Sequence, residues 1–415
     1  MKSAGSGLAP AMQRRMRGAR KALNALRHLA LSLACVLPGQ QAMADEYVVD
    51  IITPSSGEWA GLGRAMRNGI ALALEQAEDQ GRFREGVRLS LKDYDENEVL
   101  APDAKASQNA SLAQRTAELV RANDAILVIG PMFSKRAESV AAQANRYNFP
   151  LLTPAISPRI TEAGPWSFKT SMGPREFLEK MVRGAIGQLA PRKAAVLYPE
   201  GNEGFADQAR IAAQAASQAG TLMVGEMAVA QDEAGFDAAA AALLSVNPDV
   251  IFVLMDAEPA GALASRLHKA EVTRRARLVF GPSAAQPALL EVGRQFVEDA
   301  FVATDYLPEL PGAQNQAFVA AYRERYGAAP DRWAGIGYAT GMIAAEAIRN
   351  AGPSPNRPQV REALERVVNI ALPLGGLKWS MGPRREPQYE AALFRIKSNA
   401  FVPLESLGEG PRTRR

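Results

Sequence analysis

Short runs of consecutive apolar residues alternate along this chain with longer stretches whose apolar positions return every three or four residues. The first pattern predicts strands buried on both faces and the second predicts amphipathic helices, so the chain reads as a succession of β-α-β units. Residues 47–52 form the first apolar strand, and a loop with several Gly and Ser residues covers 53–63. The helix after it shows Met66, Ile70, Leu74 and Ala77 on one face. A strand at 87–92 runs out in Asp93-Tyr94-Asp95, a polar surface loop covers 97–109, and a helix covers 111–121. Residues 125–161 hold the clearest unit. Strand 125–129 meets Gly130-Pro131, and Ser134 opens a helix; strand 149–153 meets Pro154-Ala155, and Ser157-Pro158 opens the next.

A second series follows, with strands at 194–197, 222–228, 249–255, 277–280 and 300–303 and helices at 205–219, 236–244, 259–270 and 287–295. It reads as a second doubly wound lobe with its own core. Two more helices are expected at 314–326 and 331–350. The latter carries Gly335, Gly337 and Gly341, which predicts close packing on a sheet. Asn356 is placed to cap a further helix with Pro358 in its first turn. Residues 375–379 and 389–396 are extended, and 408–415 read as a disordered tail. The fold class is therefore α/β, with two Rossmann-like lobes.

In a parallel sheet the turns after strands 125–129 and 149–153 share the carboxyl edge. Two helix N-termini there offer backbone N–H groups, with the hydroxyls of Ser134 and Ser157, to a small anion. The same two serines are also suited simply to capping their helices. No catalytic base accompanies them.

The N-terminus changes the charge picture. Its first 44 residues hold seven basic residues (Lys2, Arg14, Arg15, Arg17, Arg20, Lys21 and Arg27) and no acid, then the apolar stretch 29–37 and Ala42-Met43-Ala44. That order is a cleavable export signal, with too short an apolar stretch to span a bilayer. Arg14-Arg15 is not followed by a twin-arginine pattern. The chain has 48 basic and 44 acidic residues; without the signal's seven, 41 face 44, a net charge near −3. Nothing in that balance argues for nucleic acid. The single cysteine, Cys35, lies in the signal. A lipoprotein site there would need an apolar residue where Ser32 stands. The export product thus has neither disulfide nor thiol chemistry. Of two histidines only His268 remains, between Arg266 and Lys269 on a solvated helix face, and one His makes neither a zinc site nor a triad. P-loop, G-x-S-x-G and H-E-x-x-H patterns are absent, and the glycines near Gly61 and Gly63 lack the dinucleotide spacing. The chain is therefore read as a binding protein rather than an enzyme, with no cofactor and no metal.

Several short stretches, taken in order, resemble the type I periplasmic solute-binding proteins of ABC importers, nearest the leucine/isoleucine/valine-binding group. They are Pro54, Ser56-Gly57, Ala60 and Gly63; Val128-Ile129-Gly130-Pro131 with Ser134; Pro150-Leu151-Leu152-Thr153-Pro154-Ala155 with Ser157; and Trp166-Ser167-Phe168-Lys169. Later come Pro248-Asp249-Val250, Tyr326-Gly327 with Pro330, Gly337-Tyr338-Ala339, and Phe394-Arg395-Ile396-Lys397. The resemblance implies two lobes joined by three hinge strands and closing on a small carboxylate-bearing solute, an amino acid or relative. It implies delivery to an inner-membrane permease by a periplasmic monomer. The implied divisions are 1–44 signal, 45–172 and 304–385 lobe one, 173–303 and 386–407 lobe two, and 408–415 tail. The hinge falls near 172–173, 303–304 and 385–387.

Carried over residue by residue, the resemblance places lobe-one ligand contacts at Ser134, Ala155 and Ser157, with Trp59 or Leu62 covering the cleft. On lobe two the place of a family tyrosine holds Asn202-Glu203-Gly204, and the place of a family Glu holds Ser283. Asp256 or Glu203 is then the partner for an ammonium group. Phe133 occupies one position of the family's lobe-one disulfide. A periplasmic sensor feeding a membrane receptor is the alternative function, and the neighbouring gene, permease or histidine kinase, would separate the two.

Overall fold

A computed structural model describes residues 45–84, 87–97 and 108–404. The expected signal, most of the expected 97–109 loop and the expected tail lie outside the described residues. The first sheet is wholly parallel, in the order β2-β1-β3-β4-β5. Its strands are β1 (Asp45–Thr53), β2 (Val87–Asp95), β3 (Leu127–Ile129), β4 (Leu151–Thr153) and β5 (Ser167–Lys169). The alternation of side chains along β1 assigns its two faces. Val49 and Ile51 join Met66 and Ile70 of helix α1 (Ala60–Asp79). Ile52 joins Val120 of α2 (Gln108–Asn123) and Val140 of α3 (Ser134–Tyr147) on the other face. The helix expected after Ser157-Pro158 is a single turn, α4 (Arg159–Glu162), because Gly164, at φ +140°, and Pro165 stop it.

The second sheet runs β15-β14-β10-β9-β8-β6-β7. Its parallel part holds β6 (Lys193–Pro199), β7 (Leu222–Val229), β8 (Val250–Val253), β9 (Arg277–Phe280) and β10 (Phe301–Thr304). Helices α5 (Pro174–Leu189), α6 (Glu203–Gln218), α7 (Glu233–Val246), α8 (Ala257–Lys269) and α9 (Pro287–Gly293) lie between successive strands or lead into them. After β10 the chain forms α10 (Ala313–Tyr326), α11 (Arg332–Ala351) and α12 (Arg357–Glu365), with the small antiparallel strands β11 (Ile370–Ala371), β12 (Lys378–Met381) and β13 (Pro387–Gln388). It then returns to the second sheet as antiparallel β14 (Ala392–Lys397) and β15 (Ala400–Pro403).

Helix α11 packs chiefly on another helix, not on a sheet as its glycines had suggested. It crosses α1 backbone to backbone: a Cβ added at Gly337 would lie 2.1 Å from the Met66 carbonyl oxygen, and one at Gly69 would lie 2.2 Å from that of Ala334. Small residues on both sides are what allow two helix backbones to approach so closely. Asp331 caps α11 through the Ala334 N–H, and Asn356 caps α12 in a reciprocal box with Gln359.

The chain crosses between the two sheets after β5, after β10 and before β14, and the three crossings are stitched together. The Met172 N–H donates to the Tyr389 hydroxyl at 3.3 Å, and the Gly375 N–H to the Asp305 carbonyl at 2.8 Å. The Trp379 indole N–H donates to the Thr170 carbonyl at 3.3 Å. Lys169, almost fully buried, pairs with Glu386 at 2.9 Å.

Candidate functional site

Beside these crossings lies a cleft of about 880 Å³, walled by both lobes and by the segment after β10. That volume lies within the range of small-molecule sites. From the first lobe come Trp59, Leu62 and Ile156. Trp59 is 45 % exposed and meets Phe133 edge-on, ring centroids 6.0 Å apart. Its loop is tied down by Asp95, which accepts the Ser55 N–H at 2.9 Å, and by Asn97, whose amide donates to the Ser56 carbonyl at 2.7 Å.

Ser134, Ala155 and Ser157 do not line the cleft; Ile156, between the last two, does. The polar groups of this edge have partners within the chain. The carboxylate of Glu96 accepts the N–H groups of Met132 at 2.9 Å and Phe133 at 3.4 Å, and pairs with Arg136 at 3.2 Å. Burial pushes the Glu96 pKa up, against those N–H groups and Arg136. The Ser134 hydroxyl accepts the Ile156 N–H at 3.3 Å, and Thr153 Oγ1 accepts the Ala155 N–H at 3.1 Å. The Ser157 hydroxyl donates to Glu138 at 2.5 Å and accepts the Arg159 N–H at 3.3 Å.

On the second lobe the structure separates the expected residues. Asn202 caps α6 by accepting the Phe205 N–H at 3.2 Å, and Glu203 is the first, exposed residue of that helix. Neither lines the cleft, whereas Gln208, further along α6, does. Asp256 and Ser283 both line it. Asp256 ends the run after β8 as the N-cap residue of α8, exposed and without a side-chain cap bond.

Sequence reasoning missed the wall after β10. Asp305, Glu309, Arg323, Asp331, Arg332 and Trp333 all line the cleft. Arg332 grips Asp305 with two parallel bonds, Nε to Oδ1 at 2.6 Å and Nη2 to Oδ2 at 2.8 Å, and its guanidinium lies 5.3 Å from the centre of the Trp333 ring. The signal available in the sequence was Pro330 followed by the Asp331 cap, which marks a helix start but not what that start faces. The arrangement suits recognition: apolar and aromatic walls carrying a few fixed polar groups. Among the described residues no His, Cys, Asp and Glu are grouped to hold a metal, and no helix is long and apolar enough to cross a membrane.

A family model described as periplasmic binding protein matches residues 49–400. No curated protein sequence matches the chain. Among solved structures, one proposed to be a branched-chain amino acid ABC transporter protein from Rhodospirillum rubrum is similar at TM-score 0.74 and 21 % identity, over 86 % of this chain and 100 % of that one. A branched-chain amino acid transporter substrate-binding protein from Streptococcus pneumoniae, in complex with isoleucine, is similar at TM-score 0.64 and 18 % identity, over 86 % and 98 %. An ABC transporter solute-binding protein from R. palustris, in complex with benzoate, is similar at TM-score 0.62 and 20 % identity, over 87 % and 96 %. These likenesses carry the two-lobed fold. The family match covers most of the chain, which therefore belongs to the periplasmic binding proteins, a family of solute binders and not of enzymes.

Proposed function

We propose that this periplasmic binding protein captures a small carboxylate-bearing solute, an amino acid or an aromatic acid, and hands it to an ABC permease. The observation that carries the reading is a cleft walled by both lobes and placed against their three crossings. A solute there touches Trp59 and Leu62 on one side and Asp256 and Ser283 on the other, so it joins the lobes. Ser134 and Ser157 serve by holding the turn that presents Ile156. Bonds complete only when the lobes approach supply the differential affinity that favours the closed form. The N-terminal 44 residues act as the export signal, cleaved after Ala44, and the exported protein works as a periplasmic monomer.

The purified protein is to be screened by thermal shift against L-leucine, L-isoleucine, benzoate and a wider set of small carboxylates. A solute at 100 times its dissociation constant stabilises by about 2.7 kcal/mol. Small-angle scattering with that solute is expected to give a smaller radius of gyration than without it. Recovery of a chemically altered solute, or no thermal response to any of the acids, would sink the reading.

A further inference from the structure

We propose that Arg332 binds the anionic end of the solute, with Asp305 holding its guanidinium in place; the inference rests on the solute-binding role proposed above. At the lobe-one edge neither of the two expected serines lines the cleft. Glu96, with 0 % exposure, takes the N–H groups of Met132 and Phe133 just before α3, and the serine hydroxyls there accept the N–H groups of Ile156 and Arg159.

Arg332 offers what that edge lacks. It lines the cleft where the crossings meet, at the start of α11, whose N-terminus also favours negative charge. Its Nε and Nη2 are engaged by Asp305, while Nη1 has no hydrogen-bond partner among the described residues. A guanidinium gripped at two points has lost its rotamer freedom before the solute arrives, so little ordering remains to oppose binding. The other cleft-lining guanidinium, Arg323, is exposed, where salt screens it. Of the acids in this wall, Asp305 is neutralised by Arg332, Asp331 is turned to the Ala334 N–H at 2.8 Å, and burial pushes the Glu309 pKa up, toward its uncharged form. The rings of Trp333 and Trp59 supply apolar surface for the uncharged part of the solute. The predicted solute is thus a small acid with an apolar body, recognised through its carboxylate at the hinge side of the cleft.

The test titrates L-leucine, L-isoleucine and benzoate, each beside its primary amide, into the wild-type protein by calorimetry. The same titrations are made with Arg332→Gln, Arg332→Lys and the charge-neutral pair Asp305→Asn with Arg332→Gln. The paired variant matters because Arg332→Gln alone leaves Asp305 buried without its partner. The acid that binds wild type is expected to bind at least tenfold tighter than its amide. It should lose tenfold or more in the paired variant, about 1.4 kcal/mol. Arg332→Lys, which keeps the charge but not the fork, should fall between. A folded paired variant that binds the acid within twofold of wild type overturns the anchor and leaves solute binding standing. So does an amide that binds as well as its acid. Any further acid that shifts the melting temperature in the wider screen is titrated in the same way, and failure of wild type to bind any acid of that whole set overturns both.

Discussion

Substituting Gly337→Ala tests whether the crossing of α1 and α11 holds the cleft walls in place. The added Cβ would lie 2.1 Å from the Met66 carbonyl oxygen, 2.8 Å from its carbon and 2.9 Å from its Cα. Real Cβ atoms essentially never come within 3.0 Å, so the helices must part by nearly 1 Å. The obstacle is helix backbone, which cannot rotate aside as a side chain can. Overpacking of this kind costs about 1–3 kcal/mol, and the parting also opens gaps around Met66 and Ile70, both now fully buried. Against this stands the better helix propensity of alanine, worth about 1 kcal/mol. The net expectation is a loss of up to about 2 kcal/mol, read as a lower urea midpoint at unchanged slope. Gly187→Ala in α5 is the control: a Cβ there meets nothing within 4 Å, so only the propensity gain, about 0.5–1 kcal/mol, should appear. Because α1 starts just after Trp59 and α11 starts at Arg332, the parting should also weaken solute binding. A Gly337→Ala protein as stable as the Gly187→Ala control would refute the reasoning.

Asp50 is 1 % exposed, and no hydrogen bond of good geometry reaches either of its carboxylate oxygens. Burial pushes its pKa up to about 6, against the pull of Asn123, Arg357 and Lys92. The native state therefore holds this proton more tightly than the unfolded chain does. The associated stability is fully present below about pH 4 and is lost as pH rises through about 6, a loss near 3 kcal/mol by pH 7.5. Asp50→Asn should accordingly raise the urea midpoint at pH 7.5 and leave it unchanged near pH 4; a pH-independent difference would contradict the assignment. Trp59→Ala should change stability by less than about 1 kcal/mol, since the ring is 45 % exposed, yet weaken solute binding measurably by calorimetry. Unchanged affinity would remove Trp59 from the site.

The sequence by itself determined the local elements, because their signals span only a few residues. Apolar runs such as Ala125 to Ile129 and the 3.6-residue face of α1 define strand and helix without reference to the rest of the chain. The Asn356 cap with Pro358 marks a helix start through bonds that reach no further than Gln359. The β-α order then dictates a parallel sheet and puts the turns at its carboxyl edge. What faces the cleft was decided only by tertiary structure. Glu96 reaches the N–H of Met132 across 36 residues, and Arg332 reaches Asp305 across 27. Neither pairing follows from spacing, since each depends on which loops the sheet order brings side by side. Gly337 announces a close approach in the sequence, but only the crossing of α1 and α11 shows that its partner is a helix and that Gly69 answers it there. Periodicity and capping are interactions within a turn or two of chain, whereas a binding site is assembled from loop ends whose proximity is a property of the whole fold.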